Sequence, residues 1–356
     1  MRRWYVWVTV SVALFGLLIW RTRPWDALST GAEWRLLAIV IGLNIVVIGA
    51  WAVRSARLMA AVGHALPVIA MVPIVSFANT INNLTPASTG EAVRAVILRR
   101  RHDVAYGRST AVIIAERLWA IWIMAVTAGA AAVGTIVPAS PAVVTATWIA
   151  AIAAVFAPSI AYARGLRPAA FVARRVDGNA HPAGTDELGT AAEPAAGAGT
   201  DIPGASVDPE GDRRPRRARL ATLLRDVDAN LAGILARPSI AVPFVLSTGV
   251  VFATTAIQLW LVLLALGEEI SVVAAWAALG LATIAGVVSA LPFGLGAADV
   301  VMTALLTTLG VPPSTAGAAS LLVRATVTLP LGIAGTASWI VLSREARPSA
   351  EGSTQT

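Results

Sequence analysis

Long apolar runs recur along the chain at roughly 4–20, 36–53, 109–136, 142–163, 239–266 and 315–342, and several windows pass 18 residues without a charge. A helix of that length, rising about 1.5 Å per residue, crosses a hydrocarbon core of about 30 Å. Two further apolar stretches, 65–83 and 271–290, run into the breaks "LTPASTGE" and "LPFGLGAAD", and shorter segments follow at about 87–101 and 294–310. This pattern predicts an all-α, polytopic transmembrane helical bundle with two broken-helix hairpins. Trp4, Tyr5, Trp20, Trp25, Trp34 and Trp51 lie near segment ends, where an interfacial belt belongs.

Composition agrees. Of 356 residues, 57% are hydrophobic and 13% charged, the charged share being about half that of a soluble domain. The formal net charge of +7 comes entirely from arginine. These arginines sit between apolar segments, so membrane orientation explains them better than nucleic acid does. With no cysteine, disulfides, thiol catalysis and thiolate metal sites are excluded. His64, His102 and His181 fit no metal-ligand spacing. No Ser-His-Asp grouping, Walker loop or ATP site is visible, so the expectation is a protein without cofactor or metal that is not an enzyme. The basic, then apolar start "MRRWYVW" lacks a small-residue cleavage site and reads as an uncleaved first span.

Residues 164–238 are rich in Ala, Gly, Pro and acids and poor in large apolar side chains. Such a segment cannot bury enough surface to offset its ordering entropy, which predicts a largely disordered insert. The chain thus divides into 1–163 (one repeat of the membrane domain plus the first helix of the next), the insert 164–238, the second membrane half 239–344, and a disordered tail 345–356.

Arginines also predict topology. Basic loops at Arg54 and Arg57, at Arg94 to Arg108, at Arg164 to Arg175, at Arg213 to Arg225 and at Arg344 to Arg347 belong in the cytoplasm. The linkers near 137–141 and 267–270 have no basic residue. All of this holds if 65–101 enters from and returns to the cytoplasm while 271–310 does the same from outside, as two re-entrant hairpins. The N-terminus, insert and C-terminus are then cytoplasmic, in a multi-pass protein of the plasma membrane.

The two breaks resemble each other in order. Pro86, Gly90, Glu91, Ser109-Thr110 and Arg117 run parallel to Pro292, Gly296, Asp299, Ser314-Thr315 and Arg324, with 31 residues from Pro to Arg in one and 32 in the other. Helix, helix, hairpin, helix fills each half with opposite orientation, which describes an inverted repeat whose broken helices meet at a midplane site. Irregular backbone at that depth must line a cavity or be buried in protein.

Charges fall at the same depth. Glu116 and Arg117 lie about 10–12 Å into their helix and Arg324 about 13–14 Å into its own. Facing lipid, each would cost roughly 2.5–3.5 kcal/mol. They are expected to face inward, with Glu91, Glu116 and Asp299 matching Arg94, Arg117 and Arg324 in number and neutral pairing across the halves open. Glu116 and Arg117 point about 100° apart and should serve different partners. The set is either an ion-pair lock or the wall of a polar cavity. Asn82 and Asn83 suit turn-forming amides or ligand contacts equally, and Gly90, Gly294 and Gly296 suit tight turns before helix starts whose N–H groups attract anions. Arg99 to Arg101 suit anionic headgroups or a plain anchor.

The segments "NNLTPASTGEAVRAVILRRR…STAVIIAERLWAI" and "LPFGLGAADVVMTALLTTLGV…SLLVRATV" are similar to the lysylphosphatidylglycerol synthase transmembrane region family, flippase-like membrane domains. The matching positions are Asn82, Asn83, Leu84, Pro86, Gly90, Glu91, Arg94, Glu116, Arg117, Pro292, Gly294, Gly296 and Arg324; the family usually has Glu where this chain has Asp299. The resemblance covers most of the chain except the insert and tail. It implies translocation of a lipid or lipid-linked headgroup between leaflets, with anionic membrane lipids as partners and those positions as the binding set. It does not imply synthesis, since no aminoacyl-transferase domain is expected here. Two alternatives stand beside it: an intramembrane enzyme using Glu91 or Asp299 as general base, and a non-transporting partner of a lipid synthase or glycosyltransferase.

Overall fold

A computed structural model describes residues 2–29, 31–85, 89–166, 229, 231–289 and 294–345. The prolines Pro86 and Pro292, most of the insert, and 346–356 lie outside the described residues, and so does the disorder expected there. Within those residues the chain is helical and forms no strand. The helices are α1 (Arg2–Thr22), α2 (Trp25–Ser29), α3 (Trp34–Ala61), α4 (Val68–Leu84), α5 (Gly90–His102), α6 (Tyr106–Ala132), α7 (Pro141–Val155) and α8 (Ala157–Ala163). After the insert come α9 (Pro238–Ala265), α10 (Val272–Ser289), α11 (Ala297–Thr308), α12 (Pro313–Val323), a π-helical turn (Arg324–Thr328) and α13 (Leu329–Glu345). The insert's last residues, 231–235, are helical, and Leu231, Ile234 and Leu235 are buried in the core.

Among the described residues, five helices are long and apolar enough to cross a membrane: α3, α6, α9, α10 and the continuous α12–α13. The bent pair α7–α8 makes a sixth if it crosses as one span, while Val8–Thr22 of α1, α4 and α11 are shorter apolar helices. The protein is a multi-pass membrane protein. Its outer surface is correspondingly apolar, with Ile45, Ile69, Leu246 and Val288 exposed on helix faces. Where lipid surrounds such faces, burial drives nothing, and association rests on close packing.

Two helices depart from the straight runs expected, both at a proline. The run 142–163 bends by 41° between α7 and α8. Pro158 has no N–H to offer the carbonyl of Ala154. Trp122 Nε1 donates to that oxygen at 2.9 Å, and Trp119 Nε1 donates to the neighbouring Val155 carbonyl at 3.3 Å. Pro330 likewise deprives the Thr326 carbonyl, and there Asn44 Nδ2 donates from α3 at 2.8 Å. The backbone ahead of Pro330 widens into the π turn, which begins at Arg324. Each freed carbonyl is thus satisfied by a neighbouring helix, as hydrocarbon requires.

Helices α3 and α9 run antiparallel. Glu33 N donates to Ala265 O at 2.9 Å at one end, Gln258 Nε2 donates to Asn44 Oδ1 at 3.3 Å mid-way, and Arg54 Nη1 donates to Thr248 Oγ1 at 3.3 Å towards the other. Helix α4 packs on α13 and α10 packs on α6. Small residues permit both crossings: a Cβ on Gly335 would fall 1.9 Å from Thr80 Oγ1, and one on Gly280 would fall 2.5 Å from Ala128 Cβ. One core cluster gathers Met59, Met71, Ile74, Trp119 and Phe244, and a second gathers Val40, Leu259, Leu263, Met302 and Leu306. The clusters occupy opposite ends of the α3–α9 pair, and the polar site lies between them.

Candidate functional site

Helices α3, α4, α5 and α6 build one charged cluster. Glu116 on α6 is buried and accepts from Ser55 Oγ at 2.7 Å and from Arg94 Nη1. Arg54 Nε stands 3.7 Å from the same carboxylate. Glu91, in the first turn of α5, accepts from Arg117 Nε at 2.9 Å and from Asn82 Nδ2 at 3.0 Å, and its second oxygen is 3.9 Å from Arg94 Nη1. Glu116 and Arg117 therefore do serve different partners, as their 100° separation on one helix requires.

A second cluster sits at the start of α11. Asp299 accepts from Gly296 N at 3.0 Å, from Ser320 Oγ at 2.9 Å, and from Arg324 through Nε at 3.1 Å and Nη2 at 2.9 Å. The forked guanidinium matches both carboxylate oxygens. The acid also occupies the helix start, where a negative charge is favoured by the backbone dipoles. The N–H of Gly296 is thereby bonded within the chain. Gly296 has φ +87° and Gly294 φ +60°, a region that favours glycine.

Among the described residues the charge pairs close within each half: Arg94–Glu116 and Arg117–Glu91 in the first, and Arg324–Asp299 in the second. The reason is local. In each half the hairpin's second helix packs on the helix that follows it, so their side chains meet first.

Between the halves lies a cavity of about 510 Å³, walled by α4 and α6 on one side and by α9, α10, α11 and the π turn on the other. Asn82, Asn83, Arg117, Gly294, Asp299 and Arg324 all reach it. A second cavity of about 260 Å³ adjoins it and is lined by Arg54, Glu91, Arg94 and Glu116, with Asn82 and Arg117 common to both. Of the glycines, Gly294 lines the larger cavity. Gly90 instead packs against α4, where a Cβ would fall 2.0 Å from the Ala78 carbonyl oxygen, and Gly296 packs against Leu14 of α1. Asn82 and Asn83 are helical residues of α4 and not part of a turn.

Three polar residues of the site escape a reading of motifs. Arg54 is expected in a cytoplasmic loop after a span ending at 53, but α3 continues to Ala61 and holds it inside the bundle. Its guanidinium lies 5.5 Å over the Phe244 ring. Asn44 and Gln258 pair at the α3–α9 crossing, and Gln258 reaches the larger cavity. The available signal was a lone amide within each charge-free apolar run, "VIGLNIVVIG" and "TTAIQLWLVLL".

Residues 4–335 match the family model described as the lysylphosphatidylglycerol synthase TM region. The chain belongs to this family. No curated protein matches it. In this lysylphosphatidylglycerol synthase TM region, all the described acidic and basic motif positions gather in the two adjoining clusters.

Proposed function

We propose that the protein translocates a lipid, or a lipid-linked headgroup, between the leaflets of the plasma membrane. The observation that carries this reading is the cavity between the halves, which has Arg117 on one wall and Arg324 on the other. Their side chains are 43% and 22% exposed, against 5% for Arg94, so these two are the guanidinium groups a headgroup phosphate can reach. The phosphate exchanges hydration for these groups while the acyl tails stay in lipid.

The re-entrant, inverted arrangement belongs to this proposal. In its favour, α4, α5 and α11 have 17, 13 and 12 residues, or about 26, 20 and 18 Å, short of a core of about 30 Å. The antiparallel pairing of α3 with its counterpart α9 also supports it. In this arrangement the N-terminus, insert and C-terminus face the cytoplasm.

The test is reconstitution into vesicles with fluorescent lipids of several classes and measurement of leaflet exchange. The expected result is exchange faster than in protein-free vesicles, lost in the Arg117→Ala/Arg324→Ala double variant. Rates equal to empty vesicles for every class would overturn the proposal.

A further inference from the structure

The charges around the two cavities do not balance. Four guanidinium groups, Arg54, Arg94, Arg117 and Arg324, meet three carboxylates, Glu91, Glu116 and Asp299. No other charged side chain among the described residues lines either cavity, and segments 86–88 and 290–293 contain none. Three arginines have a carboxylate each. Arg54 is the surplus. The nearest carboxylate oxygen, 3.7 Å from its Nε, belongs to Glu116, which already accepts from Arg94 and Ser55. Arg54 Nη1 donates only to the neutral Thr248 hydroxyl, and Nε is buried with no hydrogen-bond partner. Phe244 covers the ring-facing side of the guanidinium.

A positive charge held in a protein wall inside hydrocarbon is costly unless a counter-charge meets it. Among the described residues the one carboxylate in reach, Glu116, is shared with Arg94, which leaves one positive charge for a ligand to meet. We propose that the site selects headgroups of net charge −1, phosphodiesters whose headgroup carries no amine, over zwitterionic and cationic ones, and that Arg54 is the residue that sets this preference. A net −1 headgroup brings site and ligand to neutrality. A zwitterionic headgroup leaves the surplus charge standing, and an aminoacylated, net cationic one doubles it. Arg54 acts through the field of the joined cavities while Arg117, which lines both, makes the contact. The inference rests on the proposed passage of a lipid headgroup, and it gives this chain a preference opposite to the cationic lipid in the family's description.

The experiment uses the full chain in two formats. In vesicles, leaflet exchange is measured for tail-labelled phosphatidylglycerol, phosphatidylethanolamine and lysylphosphatidylglycerol, with the wild type, Arg54→Gln and Arg54→Lys. In detergent, binding of short-chain forms of the same lipids is measured, with inorganic phosphate as competitor. The wild type should prefer phosphatidylglycerol over the lysyl lipid by about tenfold or more, Arg54→Lys should retain that preference, and Arg54→Gln should shrink it to about twofold. Equal handling of the three lipids by the wild type, or an unchanged preference in Arg54→Gln, would overturn the inference. If Arg54→Gln does not fold, the wild-type comparison still decides the charge rule. Charge-selective binding without any exchange would sink transport and leave the charge rule supported. Full displacement of lipid by inorganic phosphate at equal concentration would reassign the site to free anions.

Discussion

Glu116 is the residue on which the first cluster turns. It is buried, and it faces Arg94 directly with Arg54 close by. Removing its charge leaves two guanidinium groups in the bundle with one fewer carboxylate, and breaking a buried pair from one side costs roughly 3–5 kcal/mol. Glu116→Gln is therefore expected to lower the unfolding temperature in detergent markedly, read from tryptophan fluorescence, while Arg99→Ala at the exposed end of α5 leaves it unchanged. Glu116 and Arg117 could be placed from the sequence because charges within a long apolar run must face protein. Arg54 could not, since a charge at the end of an apolar run reads equally as the start of a loop. Only the continuation of α3 to Ala61 decides between the two.

At the scale of elements, α4 and α5 meet at a contact that admits no side chain. A Cβ at Gly90 would lie 2.0 Å from the Ala78 carbonyl oxygen and 2.7 Å from Asn82 Oδ1. Because Gly90 begins α5, displacing it shifts Glu91 away from Asn82 and Arg117. Gly90→Ala is expected to reduce the yield of monodisperse protein on size-exclusion chromatography and to weaken lipid exchange in whatever folds. The breaks after α4 and α10 were legible from Pro and Gly. The bend at Pro158 and the π turn ahead of Pro330 were not, because a proline in an apolar run shows only that a carbonyl is freed. Which donor fills it, Trp122 or Asn44, depends on the neighbouring helix.

For the whole molecule, the proposed orientation is open to a direct measurement, since the chain has no cysteine of its own. Single cysteines at Asp103, between α5 and α6, and at Gly267, between α9 and α10, should react with a membrane-impermeant thiol reagent from opposite sides. Labelling of both from one side would remove the inverted arrangement. It would also remove the two-walled passage, because α4 and α10 would then enter from the same side.

The sequence alone determined the helical membrane class, the positions of the main apolar helices, the family and most of the charged set. Those properties follow from hydropathy, from residues that break helices, and from the cost of charge in hydrocarbon, all of which act locally along the chain. The tertiary structure decided who pairs with whom. Carboxylates bind the arginines of their own half because each hairpin's second helix packs on the helix next in the chain. The same packing left Arg54 surplus between α3 and α9, a consequence of contacts between residues about 190 positions apart in sequence, such as Arg54 with Thr248, which no local pattern encodes.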